Sequence, residues 1–417
     1  VSPASSPRGI FSNRDYDIFL GARFVSSMAT QMQSVAVGWQ IFSVTHRSLD
    51  LGLVGLAQFF PAFGLSLVTG HVADRFDRRR IVLLCYLLYG LASLGLVALS
   101  HRPELGTVPI YAVLFFLGTI RAFANPAQQA LLPNLLAPEY FGSAVAWSST
   151  AFTFATIIGP GAGGLLIKPF GVQGVYWVCV VAYLLATCLF FFVRARPVAA
   201  GAASAKKRGI SVETLSAGVR YVWENKMVLG AISLDLFAVL LGGAVALMPA
   251  FAQDILFVGP NGMGALRSAP SVGAAVVAIV LAYSPLKKRA GLLMFSCVFL
   301  FGVATIVFGL SHSFLLSLAA LVVVGGTDMV SVVIRQTLIQ INTPEEVRGR
   351  VSAVNSVFIG ASNELGEFES GLTAQWLGLV PAVVLGGIGT CLVVVGWAFM
   401  FPALRKAEGL EAPAPQT

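Results

Sequence analysis

Apolar runs long enough to cross a bilayer recur along the whole chain, from Asp17 to Met400, and leave little room for a soluble fold. Hydrophobic residues make up 57% of the chain and charged residues only 11%, too few to clothe so many runs in a polar surface. Roughly twelve spans of about 20 residues are predicted. They begin near Asp17, Gly52, Ile81, Val108, Ser143, Gly174, Met227, Met263, Leu292, Phe314, Val351 and Pro381. The expected fold class is all-α and integral to the membrane.

Basic residues are retained on the cytoplasmic side during insertion and so mark the inward loops. Arg8, Arg14, Arg75, Arg78, Arg79, Arg80, Arg194, Arg196, Lys206 to Arg208, Lys287 to Arg289, Arg348, Arg350, Arg405 and Lys406 fall at span ends or in alternate loops. The opposite loops are assigned Arg47, Arg102, Lys168 and Arg267. With an even number of spans both termini are expected in the cytoplasm. The net charge of +8 then reflects topology, with no nucleic-acid partner implied. Cys85, Cys179, Cys188, Cys297 and Cys391 all lie inside spans without CxxC spacing, as small packing residues do. His46, His71, His101 and His312 sit singly at span ends, so neither a metal site nor a cofactor is expected. Val1 to Arg14 has no apolar core of a signal peptide, and the first span is expected to insert the chain.

The segment Arg194 to Gly209, RARPVAAGAASAKKRG, separates the earlier spans from the later ones. Behind it, Val212, Leu215, Val219 and Val222 recur at helical spacing with Glu213, Arg220 and Glu224 between them, which predicts an amphipathic interfacial helix. The predicted organisation is a tail at 1–16, a first six-helix half at 17–193, a linker at 194–225, a second half at 226–402 and a tail at 403–417. A shift of 207 positions superposes Gly118 on Gly325, Gln129 on Gln336, Gly142 on Gly349, Gly159 on Gly366 and Gly164-Leu165 on Gly371-Leu372, the mark of a duplication.

Between the second and third spans stands Gly70, followed by Asp74-Arg75-Phe76-Asp77-Arg78-Arg79-Arg80. Gly70, Asp74, Arg75, Arg78 and Arg79 match the loop pattern Gly-X-X-X-Asp-Arg/Lys-X-Gly-Arg-Arg/Lys, and the chain resembles the major facilitator superfamily. Asp77 replaces the second Gly, and Asp is expected to take over its turn conformation. The resemblance implies two pseudo-symmetric six-helix halves around a central site. It also implies a gate in which the acidic residue and the arginines dock the cytoplasmic helix ends of both halves; a merely topogenic basic loop is the other reading. Arg121 matches an intramembrane arginine that the superfamily associates with proton transfer. Ile158-Gly159-Pro160-Gly161-Ala162-Gly163-Gly164 resembles the antiporter motif of exporters, with Gly159, Pro160, Gly163 and Gly164 as its matching residues; simple helix packing would use the same glycines. Tyr221-Val222-Trp223, Met248-Pro249-Ala250-Phe251-Ala252 and Thr343-Pro344-Glu345 before Gly349-Arg350-Val351 make the layout similar to the enterobactin-exporter-like branch of drug:proton antiporters.

Ionisable residues inside apolar spans are costly, on the order of 3 kcal/mol each at the bilayer centre, and mark function or pairing. Arg23, Arg121, Asp235, Asp328, Glu364, Glu367 and Glu369 are such residues. Arg121 and Asp328 are related by the 207-residue shift. Arg23 with Asp235 and Arg121 with Asp328 are expected to form two couples or one network, with proton coupling assigned to Asp235, Asp328, Glu367, Glu364, Arg121 and Arg23. Glu364 and Glu367 share a helix face, whereas Glu369 points about 140° away from Glu364, so one cavity cannot hold all three. A salt-bridged cluster that never titrates is the structural alternative. Gln31, Gln33, Trp39, Gln58, Phe59, Phe60, Gln128, Gln129 and Asn355 either line a substrate cavity or pack between helices. Of these, Gln31, Trp39, Gln58, Gln129 and Asn355 are the substrate-contact candidates.

The function expected from these residues and the resemblance is secondary active, proton-coupled export of a small siderophore-like or drug-like molecule by alternating access. Its partners would be that substrate, protons and membrane lipid, and its working form a monomer in a bacterial inner membrane. A transporter-like receptor without net flux and a proton-symporting importer are the alternatives. An enzyme is disfavoured, since no HExxH, GxSxG or phosphate-loop motif occurs.

Overall fold

In the computed structural model, residues 13–65, 68–69, 72, 75–194, 212–284, 286 and 289–408 are described, and no strand occurs among them. The linker at 195–211, the tails at 1–12 and 409–417, and Gly70, His71, Asp74, Lys287 and Lys288 lie outside the described residues. The helices are α1 (Arg14–Thr45), α2 (Ser48–Gly64), α3 (Arg78–Ser100), α4 (Val108–Leu135), α5 (Phe141–Phe191) and α6 (Val212–Glu224). They continue with α7 (Lys226–Leu241), α8 (Gly259–Tyr283), α9 (Ala290–Leu310), α10 (Phe314–Ile341), α11 (Glu345–Leu377), α12 (Leu379–Met400) and α13 (Pro402–Arg405).

Eight helical segments among the described residues are both long and apolar enough to cross a bilayer. The 51-residue α5 is one of them. At 1.5 Å per residue it would run about 75 Å, more than twice a hydrocarbon core. Gly171 divides it, with φ 66° and ψ 179°, a conformation that only glycine adopts without strain. The two arms correspond to the spans expected from Ser143 and Gly174. In the second broken element, α7 stops at Leu241 and the chain continues through a 3₁₀ turn at Ala244–Leu247 and a π-helical turn at Phe251–Ile255. The break lies against α11, where a Cβ on Gly243 would come within 2.7 Å of the Gly366 carbonyl oxygen. Irregular backbone at membrane depth is tolerated where protein covers it in this way.

The chain divides into two compact units, Val1–Gln40 with Phe60–Gly209, and Ile41–Phe59 with Ile210–Thr417. The end of α1 and most of α2 therefore pack with the second unit, a division that differs from a boundary drawn in the linker alone. The first unit is built around aromatic rings: Tyr16, Phe19, Tyr86, Tyr176, Tyr183 and Phe190 are fully buried. The hydroxyls of Tyr16, Tyr176 and Tyr183 find local partners, whereas that of Tyr86 is buried without one. The Tyr176 hydroxyl donates to Gln40 Oε1 at 2.6 Å, and Tyr16 donates to the Ala144 carbonyl at 3.0 Å.

In the second unit, backbones approach one another across glycines, as expected of membrane helices that gain nothing from excluding lipid. Gly273 of α8 faces the Val322 carbonyl of α10, and Gly325 of α10 faces Pro270 of α8, each without room for a Cβ. Gly302 of α9 and Gly387 of α12 meet in the same manner. The amphipathic α6 is present and docks on this unit. Val222 is buried with Val228, Ile232, Ile339, Val351 and Val354, and the Tyr221 hydroxyl donates to the Asn342 carbonyl. Its Trp223 remains exposed, as an interfacial helix would leave it.

Substitution at these glycines should separate packing from propensity. Gly273→Ala is expected to lower unfolding stability by about 1–3 kcal/mol through overpacking. Gly349→Ala, whose Cβ would meet nothing within 4 Å, should raise it by roughly 0.5–1 kcal/mol as a helix-interior Gly→Ala change. Thermal unfolding in detergent checks both signs.

Candidate functional site

Helix α10 places Asp328, Ser331 and Arg335 on one face, since steps of three and seven residues return nearly to the same angle. Helix α7 brings Asp235 to that face. Arg335 Nη1 donates to Asp235 Oδ2 at 2.6 Å, with the two side chains only 3% and 7% exposed. The contact is charge-assisted, and Arg335 Nε is buried without an acceptor. Asp328 lies in the electrostatic reach of both Asp235 and Arg335 yet makes no salt bridge. Asp235, Ala238, Val239, Val298, Phe301, Thr327, Asp328 and Ser331 line a cavity of about 10 Å³, room for a single water. Thr327 donates to carbonyls of its own helix, whereas Ser331 Oγ is buried without a partner.

A second cluster occupies α8 and α11. Arg267 is under the electrostatic influence of Glu367 and Glu364. The assignment of Arg267 to an outer loop is thereby corrected, because it lies within α8, two turns past the helix start at Gly259. Gly55 of α2 makes room for this cluster, since a Cβ there would come within 2.5 Å of Glu367 Oε2. Glu369 accepts instead from Thr373 Oγ1 at 2.8 Å. Each cluster contains two carboxylates and one arginine.

Arg23 and Arg121 belong to the first unit, Asp235 and Asp328 to the second. Asp235 takes its cation from Arg335, on a neighbouring helix of its own unit, and Arg335 is also the cation acting on Asp328. Arg23 is in electrostatic reach of Tyr16 and Tyr86, and Arg121 of Tyr89, all in the first unit. Arg335 and Arg267 are the residues that sequence reasoning missed. Their signals were present: Arg335 follows Asp328 by two helical turns, and Arg267 follows the predicted span start at Met263.

In the basic loop, Arg75 is exposed and Asp77 caps α3, its side chain accepting from the Arg79 amide. Asp77 has φ −61° and ψ 110°. The position is therefore extended, correcting the expectation of a glycine-like turn: a carboxylate caps the helix N-terminus where the motif has Gly. Arg78 Nη1 donates to the Ala130 carbonyl at 2.9 Å and Arg79 Nη2 to the Phe191 carbonyl at 2.6 Å. These bonds fasten α3 to the closing turns of α4 and α5, where carbonyls carry the negative end of the helix dipole. They run within the first unit.

Gly159, Pro160, Gly163 and Gly164 are buried. A Cβ on Gly159 would come within 2.6 Å of Gln31 Cβ, and one on Gly163 within 3.1 Å of the Met32 backbone, so α5 and α1 are in backbone contact. The shift of 207 carries Gly159 to Gly366 and Gln31 to Ala238, and Gly366 lies against Val239 and Leu240 of α7. The sequence repeat thus coincides with the same helix contact in each unit. Of the other substrate-contact candidates, Trp39 and Gln58 are half-buried and Gln129 is exposed. Asn355 is buried with its Oδ1 unpartnered. Gln33 is committed to packing, accepting from Ser93 Oγ at 2.8 Å. Gln31, Trp39 and Gln129 belong to the first unit, Gln58 and Asn355 to the second.

Long apolar helices that enclose charged clusters define a multi-pass membrane transporter. The family profile of the Major Facilitator Superfamily matches residues 19–366, and the chain belongs to that superfamily of secondary transporters, which are not enzymes. It is similar to the enterobactin exporter EntS of Escherichia coli O1:K1 / APEC, 26% identical over 381 residues, covering 91% of this chain and 86% of the relative. The same figures hold for the enterobactin exporter EntS of Shigella boydii serotype 18. Among solved structures, a bacterial homolog of the human lysosomal transporter Spinster, inward-facing and unoccupied, superposes with a TM-score of 0.68 at 15% identity, covering 96% of this chain and 97% of its own. A POT family transporter in complex with 5-aminolevulinic acid gives 0.72 at 11% identity, covering 95% and 97%. At these identities the structures bear on the fold alone.

Removing the arginine of a buried pair strands its acid. Arg335→Met is expected to cost about 3–5 kcal/mol of unfolding stability, and Asp235→Asn/Arg335→Met to regain most of that loss. Thermal unfolding of the three proteins in one detergent checks the order.

Proposed function

We propose that the chain is a proton-coupled exporter of a siderophore-like or drug-like small organic molecule, working by alternating access in a bacterial inner membrane. The observation that carries this reading is similarity to enterobactin exporters over nine-tenths of the chain. Buried Arg–carboxylate clusters of the second unit supply the chemistry. In this reading the chain forms twelve spans in two six-helix halves, 17–193 and 226–402, joined by a cytoplasmic linker, with both termini cytoplasmic and a monomer as the working unit. Counting both arms of α5 as spans, and adding α1, α2 and α11 to the eight apolar segments, supports that number.

Proton entry from outside neutralises a carboxylate among Asp235, Asp328, Glu364 and Glu367. The charge balance with its arginine then changes, and the equilibrium between facing states shifts by that difference in energy. Arg23 and Arg121, amid tyrosines, contribute fixed positive charge to the first half. Gly70, Asp74, Arg75, Arg78 and Arg79 act as the cytoplasmic gate, and the Gly159, Pro160, Gly163 and Gly164 seam lets α5 move against α1. Gln31, Trp39, Gln58, Gln129 and Asn355 contact the substrate.

Inverted membrane vesicles test this directly, with a catecholate siderophore and a panel of cationic dyes as probes. Uptake is expected only with an inside-acidic gradient, and Asp328→Asn should reduce it at least tenfold. Uptake indifferent to the gradient, or unchanged in Asp328→Asn, would remove the coupling scheme.

A further inference from the structure

Resting on the proton-coupled reading above, we propose that Arg335 is a positioning residue that serves Asp235 and Asp328 in turn, with Asp328 as the carboxyl group that exchanges the proton. Three observations converge on it. Arg335 donates Nη1 to Asp235 and leaves Nε buried without an acceptor. A guanidinium carries five donors in a planar fork, so a second carboxylate can be added without releasing the first. Asp328 stands two turns away on the same face of α10, beside the same small cavity, and has no salt bridge of its own.

Among the described residues, one acid and one cation act on Asp328 from the elements around it. The cavity wall from α9 consists of Val298 and Phe301, and from α7 of Asp235, Ala238 and Val239. Helix α8 meets α10 through Pro270, Gly273 and Val277 against Val322, Gly325 and Gly326. Asp235 and Arg335 are the charged groups that act on Asp328. One guanidinium neutralises one carboxylate, and an unneutralised second one is strongly disfavoured at this depth. With Arg335 on Asp235, neutrality places a proton on Asp328. When Asp328 loses that proton to water, its O–H bond breaks, the electron pair stays on the carboxylate, and Arg335 is drawn into sharing between the two acids. Ser331, buried on the same face with an unpartnered Oγ, supplies a hydroxyl donor to the newly ionised group. Proton loss on α10 thereby weakens the tie between α10 and α7.

Infrared difference spectroscopy of the purified full chain in lipid at neutral pH tests this without any substrate, by counting protonated carboxyl C=O bands against wild type. Asp328→Asn should lose one band. Asp235→Asn should lose the same band, because Arg335 passes wholly to Asp328. Asp235→Asn/Arg335→Gln should restore it, and Arg335→Gln should add a second. A fixed structural salt bridge predicts that Asp235→Asn leaves the band intact, and that result would overturn the proposal, as would a band surviving in Asp328→Asn. The Asn variants are isosteric; should Arg335→Gln fail to fold, Asp235→Asn and Asp328→Asn decide alone. Uptake indifferent to the pH gradient, or unchanged in Asp328→Asn, together with the band behaviour described would sink the coupling reading and leave this one standing.

Discussion

The second unit is organised by a shortage of positive charge in a place where charge cannot be left unbalanced. Arg335 stands among Asp235 and Asp328, and Arg267 is matched to Glu364 and Glu367. Burying an ion pair adds little stability by itself, since desolvation offsets most of the attraction. In the reading proposed above, its value lies in what happens when the balance changes: one proton more or less decides which helices the arginine holds together. A set of apolar helices with complete internal pairing would be more stable and would have no such dependence.

Helices in each unit are packed through small residues. Gly159 and Gly163 bring α5 onto the backbone of α1, and Gly366 brings α11 onto α7. Such seams carry no large interlocking side chains and slide at low cost. The helix that carries Asp235 is therefore held by a seam at Gly366 on one side and by Arg335 on the other. Chemistry and packing meet on α7, which ends at the backbone break at Gly242 and Gly243.

Much of this was legible in the residues, for reasons that can be named. Apolar runs of bilayer length dictate helices, so the span starts near Ser143 and Gly174 anticipated the two arms of α5, although the pivot at Gly171 carried no signal beyond being a glycine. The repeat at 207 positions was visible in glycines because close backbone contact admits no other residue. Charge pairing was not legible. The pair of Asp235 with Arg335 depends on which faces of α7 and α10 meet, and hydropathy along the chain does not contain that. Arg335 lies at the end of the span predicted from Phe314, and the sequence places Arg267 in a loop, because span boundaries drawn from hydropathy shift by a turn or two. Asp77 showed a different limit: the motif position was correct, but its extended backbone and capping role followed from the start of α3 and not from the glycine it replaces.

The most direct test is a pair of high-resolution structures of the chain in lipid, one at acidic and one at alkaline pH. Arg335 should contact Asp235 alone in the acidic structure and both Asp235 and Asp328 in the alkaline one. An Arg335–Asp235 contact that stays unchanged while Asp328 remains unpaired at both pH values would contradict the account.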